Sequence, residues 1–246
     1  MKRVFRWLLR RRVIIPVVGT LVVFALISSL TLFQPKFLRD QLADRNPNVL
    51  FFHETQQKVI ALTIDDAPDS LLTPALLDLF AQYDVKVTFF VIGEQVAGNE
   101  ALLERMRREG HEVGNHMMKD TASIMLSEEE FLANLMAAEQ EIGITTGLKW
   151  WRPASGWFSP DMLRIAAENG YRACLGSLYP FDNKIREPRI ISWLVRERIH
   201  PGAVLVLHEG GRQRDYIVPL LEKLIPQLQA TGYQFLTVSE LVELEN

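Results

Sequence analysis

Seven short apolar runs, at 59–64, 86–92, 112–114, 150–152, 173–176, 204–207 and 235–238, alternate with stretches of helical spacing. That alternation restricts the fold more than any other feature of the chain. Short continuous apolar runs read as strands buried on both faces. Parallel strands require a crossover between neighbours, usually a helix. The expected architecture is therefore α/β, a parallel sheet with helices outside, either as a barrel or as an open doubly wound sheet. Helix punctuation agrees. Ser127 and Glu130 make a capping box ahead of Phe131, Leu135 and Met136, predicting a helix over 127–142. Ser159-Pro160 supplies an N-cap and a first-turn proline for a helix that runs to about Asn169 and stops at Gly170. No internal repeat is visible.

Ahead of these elements, residues 13–33 form 21 positions without a charge. At 1.5 Å per residue such a helix reaches roughly 30 Å, the hydrocarbon thickness of a bilayer. Six cations precede it (Lys2, Arg3, Arg6, Arg10, Arg11, Arg12) and three follow (Lys36, Arg39, Arg45), a bias that keeps the N-terminus cytoplasmic. The expected organisation is a cytoplasmic basic segment 1–12, a transmembrane anchor 13–33, a stalk 34–57 and an extracytoplasmic domain 58–246. A cleaved signal peptide is the rival, although 25–29 makes a poor cleavage site. The first 33 residues carry no acid, so the rest of the chain holds 21 Lys and Arg against 30 Asp and Glu. That acidic body argues against nucleic acid as a partner. The single cysteine, Cys174, excludes an internal disulfide and reads as a buried filler.

In parallel α/β sheets, catalytic groups collect where strands end and loops begin. Asp65-Asp66 follows the first run directly, and two adjacent carboxylates repel unless a cation or strong donor joins them; a turn into a helix is the plain alternative. His116 and Asp120 have the i, i+4 spacing that sets two ligands on one face of a helical turn, and with one Asp they can bind a divalent cation. A surface pair is the plain reading, and His111 is read as structural. Arg152-Pro153, after Trp150-Trp151, can hold a carboxylate through a fork of donors, or lie on a surface turn. His208 ends the run 204–207, where it can give a proton, with Asp182 to orient it and raise its pKa. His53 and His200 have no such setting. All four groups fall at strand ends.

Over about 58–240 these residues resemble the polysaccharide deacetylases, the NodB-homology carbohydrate esterases. Thr63-Ile64-Asp65-Asp66-Ala67-Pro68 is similar to that family's Thr-Phe-Asp-Asp-Gly-Pro motif. Residues 110–116 (Gly-His-Glu-Val-Gly-Asn-His) resemble the lead into its His-x-x-x-His motif. Arg152-Pro153 with Gly156, Asp182, and Val206-Leu207-His208 resemble three further motifs in the same order. The resemblance implies a distorted barrel of about seven strand–helix units and a divalent metal on Asp66, His116 and Asp120. It makes Asp65 the base, with Arg152 as its partner, His208 the acid, with Asp182 orienting it, and the backbone N–H of Ser155 an oxyanion donor. The implied reaction removes N-acetyl groups, with O-acetyl second, from an extracytoplasmic glycan such as chitin oligosaccharide or peptidoglycan. Asp120 stands where the family has a second His, Ala67 replaces Gly, Ser155 replaces Tyr and Asn183 replaces Trp. Two carboxylates leave a bound water less acidic and favour harder ions, so cobalt, manganese or ferrous iron stand beside zinc. The alternatives are a non-catalytic glycan-binding relative and an amidohydrolase of small N-acyl amides.

Overall fold

The computed structural model describes residues 23, 35–144, 147–210 and 215–245. The chain divides into two compact units, Met1–Leu42 and Ala43–Asn246. The expected anchor 13–33 lies, apart from Val23, outside the described residues, as does the basic segment 1–12. Among the described residues no helix is long and apolar enough to cross a membrane. Helix α1 (Lys36–Arg45) carries an i, i+4 ion pair between Lys36 and Asp40.

The second unit is built on β1 (Val49–Leu50), β2 (Val59–Ala67), β3 (Thr88–Val91), β4 (Glu112–Asn115), β5 (Lys149–Trp151), β6 (Tyr171–Cys174), β7 (Ala203–His208) and β8 (Gln234–Leu236). Every ladder is parallel, in the order β1-β6-β5-β4-β3-β2-β7, and β8 pairs with the first residues of β2. The two ends of the row meet through single bridges, Leu178 to Leu205 and Phe52 to Ala203. The sheet is thus curled onto itself. Between strands run α2 (Leu72–Gln82), α3 (Glu100–Arg108), α4 (Glu128–Ile142), α5 (Pro160–Glu168), α6 (Pro188–Arg198) and α7 (Ile217–Ala230), and α8 (Val238–Val242) closes the unit. The Ser127–Glu130 capping box and the Ser159 N-cap are both formed, and Gly143, at φ 69°, ends α4.

All seven expected strands are present. The expected stalk 34–57 is corrected in part, because α1 and β1 fall within it and β1 pairs with β6, both its residues being buried. A two-residue strand is too short to show a period. The folded unit therefore begins before position 58.

Alternation along β2 sorts its side chains. Ile60, Leu62 and Ile64 face the helix layer together with Leu76, Leu77, Phe80, Leu220 and Leu224, while Val59 and Ala61 face inward with Phe90, Trp150 and Val204. The inner core is plugged by Val238 and Leu241 of α8. Its polar fittings are satisfied: Val238 N donates to Thr88 Oγ1 at 2.9 Å, Thr88 Oγ1 to Glu112 Oε2 at 2.7 Å, and Trp150 Nε1 to Ser239 Oγ at 2.9 Å. At the other end of the curled sheet, the carboxyl edge, Asp65 and His208 stand in register.

Gly202 is where the segment before β2 crosses the start of β7. His53 N donates to its carbonyl at 2.9 Å, and a Cβ at its φ of 71° would lie 1.8 Å from the His53 carbonyl oxygen. Gly202→Ala is expected to lower unfolding stability by at least about 2 kcal/mol, read as a fall in the urea midpoint.

Candidate active site

Arg152, buried at the exit of β5, organises the site. Its Nε donates to Cys174 O at 2.7 Å, its Nη1 to Thr63 Oγ1 at 2.8 Å and to Asp65 Oδ1, and its guanidinium lies 3.9 Å over the Phe90 ring. Thr63 passes the contact on by donating to Leu205 O at 2.9 Å. Arg152 thus takes one oxygen of Asp65. The other, Oδ2, stands 3.9 Å from His116 Nε2 and 3.9 Å from His208 Nε2.

Asp65 and His208 are directly opposed in the β2–β7 register. Asp66 should by alternation face the helices, yet both carboxylates line one cavity of about 460 Å³ with His116, Asp120, Arg152, Ser155 and His208. The β2–β3 register shifts between Ile64 and Ala67, and Asp66 has φ 64°, so a bulge turns it inward. Asp66 Oδ1 lies 3.4 Å from His116 Nε2. His116 Nδ1 donates to the Arg152 carbonyl at 2.9 Å, which in the neutral ring puts the lone pair on Nε2, toward Asp66.

Asp120 departs from expectation. The chain after β4 forms no helical turn, because Met117 has φ 70° and the Asn115 and Asn134 side chains accept from the backbone N–H groups of Met117 and Met118. Asp120 is exposed on the cavity wall. Among the described residues no three His, Cys, Asp or Glu side chains are gathered closely enough to hold a metal ion. The donor set nevertheless suits a divalent cation in part, since Asp66 Oδ1 and His116 Nε2 offer adjacent carboxylate and imidazole donors in a fixed tautomer.

His208 is seated by Asp182, which is fully buried. Asp182 Oδ1 accepts from Nδ1 at 2.9 Å and Oδ2 from the His208 backbone N–H at 2.8 Å, while Tyr179 packs edge-on at 5.7 Å. Burial pulls the pKa of His208 down, but Asp182, then Asp65 and Asp66, overcome it and the net direction is up. The same balance, burial against Asp65 and Asp66, raises that of His116. Ser155 lies at the mouth with φ 68°. His111 is structural as expected, its Nδ1 accepting from Val87 N at 3.2 Å, with burial lowering its pKa to about 4. Cys174 is fully buried, its thiol pushed up to about 11 by burial.

Most of the cavity's residues are marked in the sequence by their place at strand ends; the bridging role of Thr63 and the aromatic edge of Tyr179 are not, since they read as an ordinary strand threonine and a loop tyrosine. Glu209, in the loop that follows His208, carries no sequence signal of what its side chain does. That carboxyl is fully buried, accepts from Thr73 Oγ1 at 2.7 Å, and is pushed up to about 8 by burial.

The polysaccharide deacetylase family model matches residues 52–174. The chain belongs to the polysaccharide deacetylase family. A peptidoglycan-N-acetylglucosamine deacetylase of Bacillus cereus is 33% identical over 198 residues, covering 77% of this chain and 91% of that protein. The crystal structure of the Bc1960 peptidoglycan N-acetylglucosamine deacetylase matches with a TM-score of 0.76 at 29% identity, over 80% of this chain and 94% of that one. A CE4 family pseudoenzyme from Bacillus anthracis matches with a TM-score of 0.72 at 27% identity, over 79% and 69%. As a family member, the chain is a glycan deacetylase that hydrolyses amide bonds.

Glu209 gives a pH test of the site's foundations. Its folded-state pKa lies above the ordinary 4.5, so between about pH 4.5 and 8 the folded state binds more protons than the unfolded one and stability falls as pH rises. Above about 8 the decline from this group ends. In Glu209→Gln, urea midpoints at pH 5 and pH 8 are expected to differ less than in the parent chain.

Proposed function

We propose that this chain removes N-acetyl groups from amino sugars of an extracytoplasmic glycan, such as the N-acetylglucosamine of peptidoglycan or a chitin oligosaccharide, with a divalent cation, while anchored in the membrane by residues 13–33. The observation that carries the reading is Asp65 Oδ2, set 3.9 Å from both His116 Nε2 and His208 Nε2 while Arg152 occupies the other oxygen. Asp66 Oδ1 and His116 Nε2, with Asp120 on the same wall, would hold a divalent cation, whose positive charge would acidify water and polarise the acyl carbonyl. Zinc is the first candidate, with cobalt, manganese or ferrous iron favoured by the carboxylates.

The chain's own residues do the proton work. Asp65 Oδ2, 3.9 Å from each imidazole Nε2, takes a proton from the attacking water. The backbone N–H of Ser155, at the mouth, is the donor for the oxyanion. His208 Nε2 gives a proton to the departing amine, which leaves poorly without one. Asp182 fixes the ring so that Nε2 faces Asp65, and its charge keeps His208 loaded with a proton at higher pH than an isolated imidazole. The pseudoenzyme relative shares the fold, so the fold alone does not separate hydrolysis from binding. Asp65 and His208 count against a pure binder, which has no need of two proton-transfer groups in register.

With metal-loaded full chain and N-acetylated peptidoglycan fragments, His208→Ala is expected to lower kcat by about 10²–10⁴ with KM little changed. Asp65→Asn is expected to abolish acetate release while metal stays bound. An unchanged kcat in His208→Ala removes it from the role of acid. The anchor predicts that alkaline carbonate leaves the chain in the membrane pellet, with 58–246 open to added protease from the extracytoplasmic side; release into the supernatant contradicts it.

A further inference from the structure

Two consecutive side chains can reach one cavity only if the strand that carries them is broken locally. In β2 the break is the bulge between Ile64, which pairs with Phe89, and Ala67, which pairs with Val91. Asp65 and Asp66 have no register partner on β3, and Asp66 sits at φ 64°. Gln95, in the turn Gly93–Gln95 that follows β3, reaches into this gap. With its amide turned so that the nitrogen faces acceptors, it donates to Asp66 O at 2.9 Å and to Pro68 O at 3.2 Å. Gln95 is itself fixed, its N–H donating to Ile92 O at 3.0 Å and its carbonyl accepting from Asn99 Nδ2 at 2.9 Å.

The opposite side of the turn is held from the loop after β7. A Cβ on Gly210 would lie 3.0 Å from Asp66 O, so that loop is packed directly against the bulge. Glu209 N donates to Asp65 O at 3.0 Å, and the Glu209 carboxyl accepts from Thr73 Oγ1, which in turn accepts from Asp69 N at 2.8 Å. The turn from Asp66 to Asp69 is therefore clasped between two loops: the Gln95 amide bonds the carbonyls of Asp66 and Pro68, and Ile92 N donates to the carbonyl of Ala67 between them at 2.9 Å.

We propose that Gln95 is a positioning residue for Asp66: its double donation holds the bulge in the conformation that aims the Asp66 carboxylate at His116 Nε2 and away from the helix layer. The proposal rests on the reading of Asp66 as a cation ligand. An extended backbone at this position would return Asp66 to the alternation of β2, facing the side of Ile64 and Leu76, and the cation would lose one of its two adjacent donors.

The test titrates full-length parent, Gln95→Met and Gln95→Lys with Co²⁺, read by calorimetry and by the visible absorption of bound cobalt, alongside acetate release and thermal midpoints. Gln95→Met keeps the reach and removes the donor, and is expected to weaken the cobalt Kd about 10–100-fold, to change the cobalt spectrum, and to lower kcat with KM within twofold. Gln95→Lys restores a donor at similar reach and is expected to bring Kd back to within threefold of the parent. Should Gln95→Met not fold, the Lys variant is compared with Gln95→Glu, which presents an ionised acceptor to the same carbonyls and is expected to bind cobalt at least tenfold more weakly. A Gln95→Met chain with the parent's Kd and spectrum, or a Lys variant as weak as Met, overturns the proposal. A parent chain that binds no cobalt overturns the cation reading of Asp66, and the proposal with it.

Discussion

One buried guanidinium ties the open end of this sheet together. From the exit of β5, Arg152 bonds the carbonyl of Cys174 at the end of β6 and crosses the interior to Thr63 and Asp65 on β2, lying on Phe90 of β3 as it does so. Burying one charge is costly unless it is paired and every donor is used. Here the fork is matched to a carboxylate, a hydroxyl, a carbonyl and a ring face at once. The carbonyl of the same residue orients His116. A single side chain and its own peptide group thereby set the direction of both the carboxylate and one imidazole.

The chemistry follows from what that pairing leaves over. Asp65 has two oxygens, and with Oδ1 committed to Arg152, Oδ2 is left at 3.9 Å from each of the two imidazoles. The imidazoles are held differently. His116 is turned by a neutral carbonyl, which suits a nitrogen that gives its lone pair to a cation; His208 is turned by a buried carboxylate, which suits one that holds and gives a proton. The partners of their far nitrogens thus suit the two histidines of one cavity to different work.

Much of this is legible in the sequence. The seven strands appear as apolar runs, both helix starts carry their caps, and the site residues sit at strand ends because a parallel sheet gathers them there. What could not be read are the local breaks in regularity. A helical turn from His116 to Asp120 is a fair inference from spacing, but the left-handed Met117 and the asparagine contacts around it turn the chain elsewhere, leaving Asp120 exposed on the wall. Likewise nothing in Thr63-Ile64-Asp65-Asp66 announces the bulge that puts neighbouring acids on one side. β1 escaped because two residues have no period. These are the positions where local preference gives way to the requirements of the site.

The most direct test of the account is a stoichiometry. Metal-loaded full chain is incubated with peptidoglycan fragments rich in N-acetylglucosamine, and acetate and free glycan amine are quantified together, before and after a chelator. The account predicts acetate and amine in equal amounts, both ending when the metal is withdrawn and returning when it is restored. Tight metal binding with neither product, from these fragments or from chitin oligosaccharides, would contradict it and leave the cavity a binding site.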